Sequence, residues 1–179
     1  MPRRLSPGQK APGRIAYVDG RYVPHGSATV YIEDRGLQFA DSVYEVYAVS
    51  EGRTLDEAGH VTRLERSLSE LEMDLPIAKS SLAIVLREII RRNRLLNGLV
   101  YLQVTRGVFH RDHVIPGAVR PTVILTASRL DPETFDRRRR DGTSVVTAPD
   151  TRWGRCDIKT TGSVAEYLGE DGGASGRGS

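Results

Sequence analysis

The chain has 179 residues, of which 39% are apolar, so it can bury one hydrophobic core but hardly two complete domains. Its net charge is only +3, because 26 basic residues are nearly matched by 23 acidic residues scattered among them, which argues against a nucleic-acid-binding protein. The first 15 residues contain no apolar run and Cys156 is the only cysteine. We therefore expect no signal peptide, membrane span, disulfide or bound metal, and a cytoplasmic location.

The N-terminal part of the chain is predicted to form β-structure. Residues 15–18 and 21–23 are rich in β-forming side chains. They flank Asp19-Gly20, a pair that favours a tight turn, so together they predict a β-hairpin. Residues 28–33 are predicted to form a further strand.

A longer strand is predicted at residues 43–49, where side chains alternate between two faces. Successive side chains of a strand point to opposite sides of the sheet. Tyr44 is therefore expected to face away from Tyr47, and the Glu51-Gly52 pair is expected to form the following turn.

Two helices are predicted in the middle of the chain. The first begins near His60, because apolar residues recur from there at helical spacing, and Arg63 lies off this apolar stripe. The second covers residues 80–96, with a serine as its N-cap and Asn97-Gly98 as its end. The stripe of the first helix consists of Val61, Leu64, Leu68 and Leu71.

Residues 99–105, 122–127 and 143–147 are apolar, β-branched runs that predict buried strands. The order of strands, two helices and strands favours an α+β fold over a doubly wound sheet. The basic run at residues 137–140 is interpreted as a solvated face. We divide the chain into a flexible N-terminus (1–13), a small α+β domain (14–130), a linker with the first strand of a second domain (131–161) and a Gly-rich unstructured tail (162–179).

Lysine is rare in this chain, with three lysines against 23 arginines. A lysine is a candidate for chemistry because, unlike arginine, it can lose its proton and attack a carbonyl group. Lys159 is ambiguous on this ground alone, since a lone lysine near a strand end is usually solvated. Arg111 and His113 point the same way in an extended chain and could grip a carboxylate, although a polar surface loop is the alternative.

Five separate stretches of the sequence resemble the class IV, fold-type IV pyridoxal-phosphate aminotransferases, and among them the D-amino-acid transaminases. The stretches occur in the order of the family, and together they make a chance resemblance an unsatisfactory explanation. They are Ile32-Glu33-Asp34-Arg35-Gly36 with Gln38-Phe39, Asp41-Ser42-Val43-Tyr44-Glu45-Val46, His60-Val61-Thr62-Arg63-Leu64, Tyr101-Leu102-Gln103-Val104-Thr105-Arg106-Gly107, and residues 152–159 from Arg152-Trp153 to Lys159.

The resemblance implies a fold, a cofactor and its protein contacts. The fold is the N-terminal domain of the fold-type IV enzymes, an antiparallel sheet with two packed helices. Lys159 matches the lysine that forms the Schiff base with pyridoxal 5'-phosphate and then moves a proton during transamination. Arg63 matches the arginine that binds the cofactor phosphate.

The resemblance also implies a substrate site. Tyr44, Arg111 and His113 match the residues that hold the substrate carboxylate in the D-amino-acid enzymes, and Tyr101 is expected to line the same pocket. The Arg-x-His pair favours a D-amino-acid enzyme over a branched-chain one. Glu45 points away from Tyr44 in a regular strand and is left out of the predicted site.

The expected activity is transamination of D-amino acids such as D-alanine with a 2-oxo acid as acceptor, and a homodimer is expected for a full-length form. A branched-chain aminotransferase or a pyridoxal-phosphate lyase of the same family is an alternative. The Gly-rich sequence after Thr160 departs from the family, so we expect the second domain to be missing. An inactive fragment is therefore a further alternative, and an exposed apolar patch is expected where that domain would pack.

Overall fold

The computed structural model describes residues 13–115, 117, 119–142 and 153–162. These residues form one six-stranded sheet with two long helices and two shorter ones. The strands are β1 (Ile15–Val18), β2 (Arg21–Pro24), β3 (Ser42–Ser50), β4 (Arg53–Thr54), β5 (Gly98–Thr105) and β6 (Thr122–Arg129), and the helices are α1 (Arg35–Phe39), α2 (Glu57–Glu70), α3 (Lys79–Arg92) and α4 (Pro132–Asp141).

The sheet is antiparallel, with the strand order β2-β1-β6-β5-β3-β4. At its centre, β5 pairs along its whole length with β3 on one side and with β6 on the other. The predicted hairpin is confirmed as β1 and β2. Its turn has Asp19 at φ 42° and Gly20 at φ 90°, the left-handed conformation that the turn between two twisted strands requires. The expected α+β fold class is therefore confirmed.

The core lies between one face of the sheet and the helices α2 and α3. Val43, Tyr47 and Val49 of β3 are buried on this face, whereas Tyr44 and Val46 on the other face are only partly buried. This confirms the predicted alternation of the strand. Burying one large aliphatic side chain contributes roughly 1.5–3 kcal/mol, so this layer dominates the stability. The two helices contribute Leu64, Leu68, Leu82, Val85, Leu86, Ile89 and Ile90 to it.

The two predicted helices are confirmed, with shifted ends. Helix α2 begins before His60 because the Asp56 side chain accepts a hydrogen bond from the Gly59 backbone N–H at 3.3 Å. Helix α3 ends at Arg92, since the Asn93 amide donates to the Ile89 carbonyl at 2.8 Å and to the Ile15 carbonyl at 3.0 Å. Asn93 thus ends the helix and ties it to β1.

The strand predicted at residues 28–33 is wrong. These residues form extended and turn structure that joins no ladder within the described part of the chain, and Ile32 is 79% exposed. The short helix α1 follows instead, and it was not predicted. The Asp34 carboxylate accepts from the Gly36 backbone N–H at 2.8 Å and starts α1. The competing N-cap signal of Asp34 therefore outweighed the β-forming composition before it.

The remaining expectations concern the C-terminal part of the chain and membrane-spanning helices. The strand predicted at 143–147 and the tail from residue 163 lie outside the described residues. The basic run at residues 137–140 lies exposed on α4, in agreement with a solvated face. No helix in the described segments is long and apolar enough to cross a membrane.

Candidate active site

Lys159 lies against the edge of β3, near Val43 and Tyr44, on the side where β4 pairs only with the far end of the strand. The backbone N–H of Tyr44 donates to the Lys159 carbonyl at 2.9 Å, and Val43 forms an antiparallel bridge with Thr160. One residue farther along, the hydroxyls of Ser42 and Thr161 are hydrogen-bonded at 2.7 Å. The lysine segment therefore extends the sheet beside β3, and this register sets the side of the sheet on which the lysine amine lies.

The amine of Lys159 lies over the ring of Tyr44, with Nζ 4.1 Å from the ring centroid. Tyr44 in turn stacks on Tyr101 of β5, with 5.5 Å between the ring centroids. Both tyrosines are on the sheet face opposite α2 and α3 and are only partly buried. Three predicted site residues, Lys159, Tyr44 and Tyr101, are thus brought together on this face.

The lysine segment is held by burial as well as by backbone pairing. Ile158 is 4% exposed and belongs to the hydrophobic core. On the surface, Asp157 accepts from Arg66 of α2 at 2.8 Å and from Arg155 at 3.0 Å. Exposed ion pairs contribute about 0–1 kcal/mol each, less than the roughly 1.5–3 kcal/mol for a buried isoleucine. Ile158 is therefore the principal anchor of the segment.

Arg63 is fixed to β3 by a carboxylate that the sequence analysis left out. Glu45 is fully buried and accepts two hydrogen bonds from Arg63, from Nε and from Nη2, each at 2.6 Å. Its Oε2 also lies 2.8 Å from His60 Nδ1. The Arg63 side chain remains 46% exposed. Glu45 thus orients a guanidinium that still reaches solvent.

The environment of Glu45 keeps it ionised. Burial alone would raise its pKa, but the hydrogen bonds and charges of Arg63 and His60 outweigh burial and hold the pKa below its ordinary value. An ionised carboxylate is an acceptor only, so His60 presents its Nδ1 proton to it. The signal that could have identified Glu45 is a carboxylate on the core face of a strand, because such a group is rarely buried without a partner.

Arg111 and His113 lie together at a different place, where both contact Phe39 of the short helix α1. The Arg111 guanidinium carbon is 5.1 Å from the centroid of the Phe39 ring, and the His113 ring meets the same ring edge-on at 5.4 Å. Both side chains are exposed. No hydrogen bond, ion pair or ring contact within the described segments joins either of them to Lys159 or Tyr44.

A cavity of about 500 Å³ lies beside His113. Its wall includes Thr160, the neighbour of Lys159, so the two groups of predicted residues border neighbouring parts of the surface. Also in its wall, Asp41 accepts from Arg35 Nε at 2.8 Å and from Arg106 Nε at 2.7 Å. These bonds outweigh burial and hold the Asp41 pKa below its ordinary value.

Known proteins resemble this chain in sequence. The sequence profile of the family "Amino-transferase class IV" matches residues 42–171. A D-alanine aminotransferase of Listeria innocua is 37% identical over 155 residues, which are 86% of this chain and 54% of that protein. A D-alanine aminotransferase of Bacillus licheniformis is 40% identical over 144 residues, 79% of this chain and 50% of that protein. The chain spans about half the length of the curated relatives it matches.

Solved structures show the same fold. A 4-amino-4-deoxychorismate lyase from Pseudomonas aeruginosa matches with a TM-score of 0.67 and 25% identity, over 87% of this chain and 56% of that one. A branched-chain amino acid aminotransferase from Escherichia coli matches with a TM-score of 0.62 and 19% identity, over 66% of this chain and 40% of that one. The family profile matches well over half of the residues of this chain. The chain therefore belongs to the class IV aminotransferase family.

Proposed function

We propose that this chain carries part of the active site of a pyridoxal-phosphate-dependent aminotransferase that transfers the amino group of D-amino acids such as D-alanine to a 2-oxo acid. The observation that carries the proposal is the placement of Lys159, whose amine lies on Tyr44 at a partly buried position beside β3. The relatives named as D-alanine aminotransferases, at 30–40% identity, support the choice of substrate.

The donor groups of the site fit the chemistry of pyridoxal phosphate. No ion pair or hydrogen bond joins the Lys159 amine to another residue in the described segments, so the amine is available to a carbonyl group. Arg63 uses Nε and Nη2 on Glu45 and keeps Nη1 for a phosphate oxygen. We assign Lys159 to the aldehyde group of the cofactor and Arg63 to its phosphate. When bound, the cofactor supplies an electron sink for the substrate α-carbon.

Each residue of the proposed site has a separate role. Lys159 would act as the base that takes the proton from the substrate α-carbon, and its ammonium group would then act as the acid that donates that proton. Tyr44 lies beneath the Lys159 amine, where its ring limits the approach of water from one side. Arg111 and His113 offer N–H donors to the substrate carboxylate. Tyr101 supports Tyr44 from β5.

A branched-chain-type aminotransferase or a lyase of the same family is the second candidate. It is favoured by the solved structures of a branched-chain aminotransferase and of a 4-amino-4-deoxychorismate lyase, which share this fold. The relatives with 30% identity or more favour the D-alanine reaction. A substrate panel separates the candidates: turnover of L-leucine without turnover of D-alanine would support the branched-chain reaction.

The first test is chemical trapping on Lys159. The purified chain is mixed with pyridoxal phosphate, reduced with borohydride and mapped by peptide mass spectrometry. We expect a visible absorbance band and a label on Lys159 alone. The band and the label are both expected to be lost in Lys159→Ala.

Lys79 provides the matched control. It is exposed and forms an ion pair with Glu65 at 2.8 Å, so Lys79→Ala is expected to leave the band and the label unchanged. Equal labelling of Lys79 and Lys159, or no band in the wild-type chain, would contradict the proposal. D-alanine turnover with 2-oxoglutarate then tests the reaction itself.

A further inference from the structure

The ring of Phe39 on α1 contacts three side chains near the cavity, those of Arg35, Arg111 and His113. The guanidinium carbons of Arg35 and Arg111 lie 4.7 Å and 5.1 Å from the centroid of the Phe39 ring, and the His113 ring packs against its edge. The face of an aromatic ring attracts a cation because of its negative electrostatic potential. Phe39 therefore acts as a common support for Arg111 and His113.

The Arg35 side chain also binds the backbone between Arg111 and His113. Its Nη1 donates to the carbonyl oxygen of Asp112 at 2.8 Å, and Asp112 lies between Arg111 and His113. The Arg35 side chain is only 5% exposed, and its Nε is bonded to Asp41. A buried guanidinium with two hydrogen-bond partners has little conformational freedom, so it fixes the position of the Asp112 peptide group.

The chain before Arg111 is hydrogen-bonded to the backbone at the start of α1. The Arg35 backbone N–H donates to the Gly107 carbonyl at 2.9 Å, and the Phe109 backbone N–H donates to the Glu33 carbonyl at 3.2 Å. Beyond Phe109, the contacts of Arg35 and Phe39 continue this attachment. An exposed loop without such contacts would lose conformational entropy on binding a ligand.

We propose that Arg35 and Phe39 are positioning residues that fix Arg111 and His113 for binding a substrate carboxylate. This inference rests on the proposed function, in which Arg111 and His113 contact that carboxylate. Arg35 and Phe39 do not touch the substrate themselves. They act by ordering the segment before the ligand arrives, which raises carboxylate affinity without changing the chemistry at Lys159.

The test follows pyruvate, a simple 2-oxo carboxylate, as it is titrated into the full chain. Binding is read from the NMR signals of the His113 ring, which are assigned by their loss in His113→Gln. We expect Phe39→Leu, which removes the ring under Arg111, and Arg35→Lys, which removes the donor to Asp112, to weaken pyruvate binding roughly three- to tenfold. Phe39→Tyr keeps the ring and should retain wild-type affinity.

Leu37 provides the matched control on the same helix. It is 62% exposed, so Leu37→Ala is expected to leave pyruvate affinity unchanged. The rescue by Phe39→Tyr distinguishes a role of the ring from a general loosening of α1. Thermal melting of each variant shows whether it is folded.

Three results would overturn the inference. They are wild-type pyruvate affinity in both Phe39→Leu and Arg35→Lys, an equal loss in Leu37→Ala, and no response of His113 to pyruvate in the wild-type chain. Trapping of pyridoxal phosphate on Lys159 is measured separately on the same samples. Failure of that trapping contradicts the proposed cofactor chemistry, whereas the His113 titration decides the positioning role on its own.

Discussion

At the scale of single residues, Glu45 shows how a buried charge organises the site. Tyr44 and Glu45 are neighbours in β3 and point to opposite faces, Tyr44 to Lys159 and Glu45 to Arg63. A single strand therefore connects the two proposed cofactor contacts. The sequence indicated this alternation, but it did not reveal that the buried carboxylate has two partners on α2, His60 and Arg63.

Glu45→Gln is expected to weaken both the fold and the phosphate contact. A glutamine side chain turns an N–H donor towards Arg63 and loses the charge, and hydrogen bonds to charged groups contribute about 1.5–3 kcal/mol. We expect a loss of about 2 kcal/mol, because Arg63 is half exposed and can turn to solvent. Urea denaturation measures the loss, and spectroscopic titration with pyridoxal phosphate measures the weaker affinity.

Glu65→Gln is the control for this prediction. Glu65 lies on α2, as do His60 and Arg63, but its partner Lys79 is exposed, so the substitution should cost less than about 1 kcal/mol. Equal losses of stability for the two variants would show that Glu45 has no special role.

At the scale of elements, the sequence predicted the pieces that bury an apolar stripe. Helices α2 and α3 and strands β3, β5 and β6 all present apolar residues at the period of their own secondary structure. Helix α1 was not predicted, because a five-residue helix has no apolar period and depends on the cap formed by Asp34, and the strand predicted at residues 28–33 was wrong.

Helix α3 provides a direct test of the core. Leu86 is fully buried against the sheet, whereas Ile84 on the same helix is 59% exposed. We expect Leu86→Ala to lower the free energy of unfolding by roughly 2–5 kcal/mol, because it leaves a cavity in the packed layer. Ile84→Ala should change it by less than about 0.5 kcal/mol, as is usual for exposed positions. Thermal or urea unfolding of the two variants checks the difference, and similar losses would place α3 outside the core.

At the scale of the whole molecule, two carboxylates connect the elements: Glu45, which is fully buried, and Asp41, which is largely buried. Asp41 joins Arg35 of α1 to Arg106 after β5, and Glu45 joins β3 to α2. Both have a pKa in the folded protein below the ordinary values of 3.8 and 4.5. The folded state therefore binds fewer protons at these groups than the unfolded state does.

Acid is consequently expected to destabilise the protein. The contribution of a carboxylate with a lowered pKa is complete above its unfolded pKa and is lost as the pH falls through its folded pKa. We expect the free energy of unfolding, measured with urea between pH 3 and 7, to decline below about pH 4.5. In Glu45→Gln this decline should be shallower.

Added salt separates the buried groups from the exposed ion pairs. Exposed charges are screened at high ionic strength, whereas buried pairs are screened much less. The difference in the free energy of unfolding between wild type and Glu45→Gln should therefore persist in 0.5 M salt. At this concentration the Debye length falls to roughly 4–5 Å. An identical pH dependence for the two proteins would contradict the assignment of Glu45.

The sequence by itself determined the periodic strands and helices, the α+β class and the resemblance to the family, because each depends on side chains close together in the chain or on short motifs. Only the tertiary structure decided which distant residues meet. Lys159 reaches Tyr44 through the register at the edge of β3, and Arg63 reaches Glu45 because α2 packs across that strand. Such contacts depend on packing between elements, which no local period encodes.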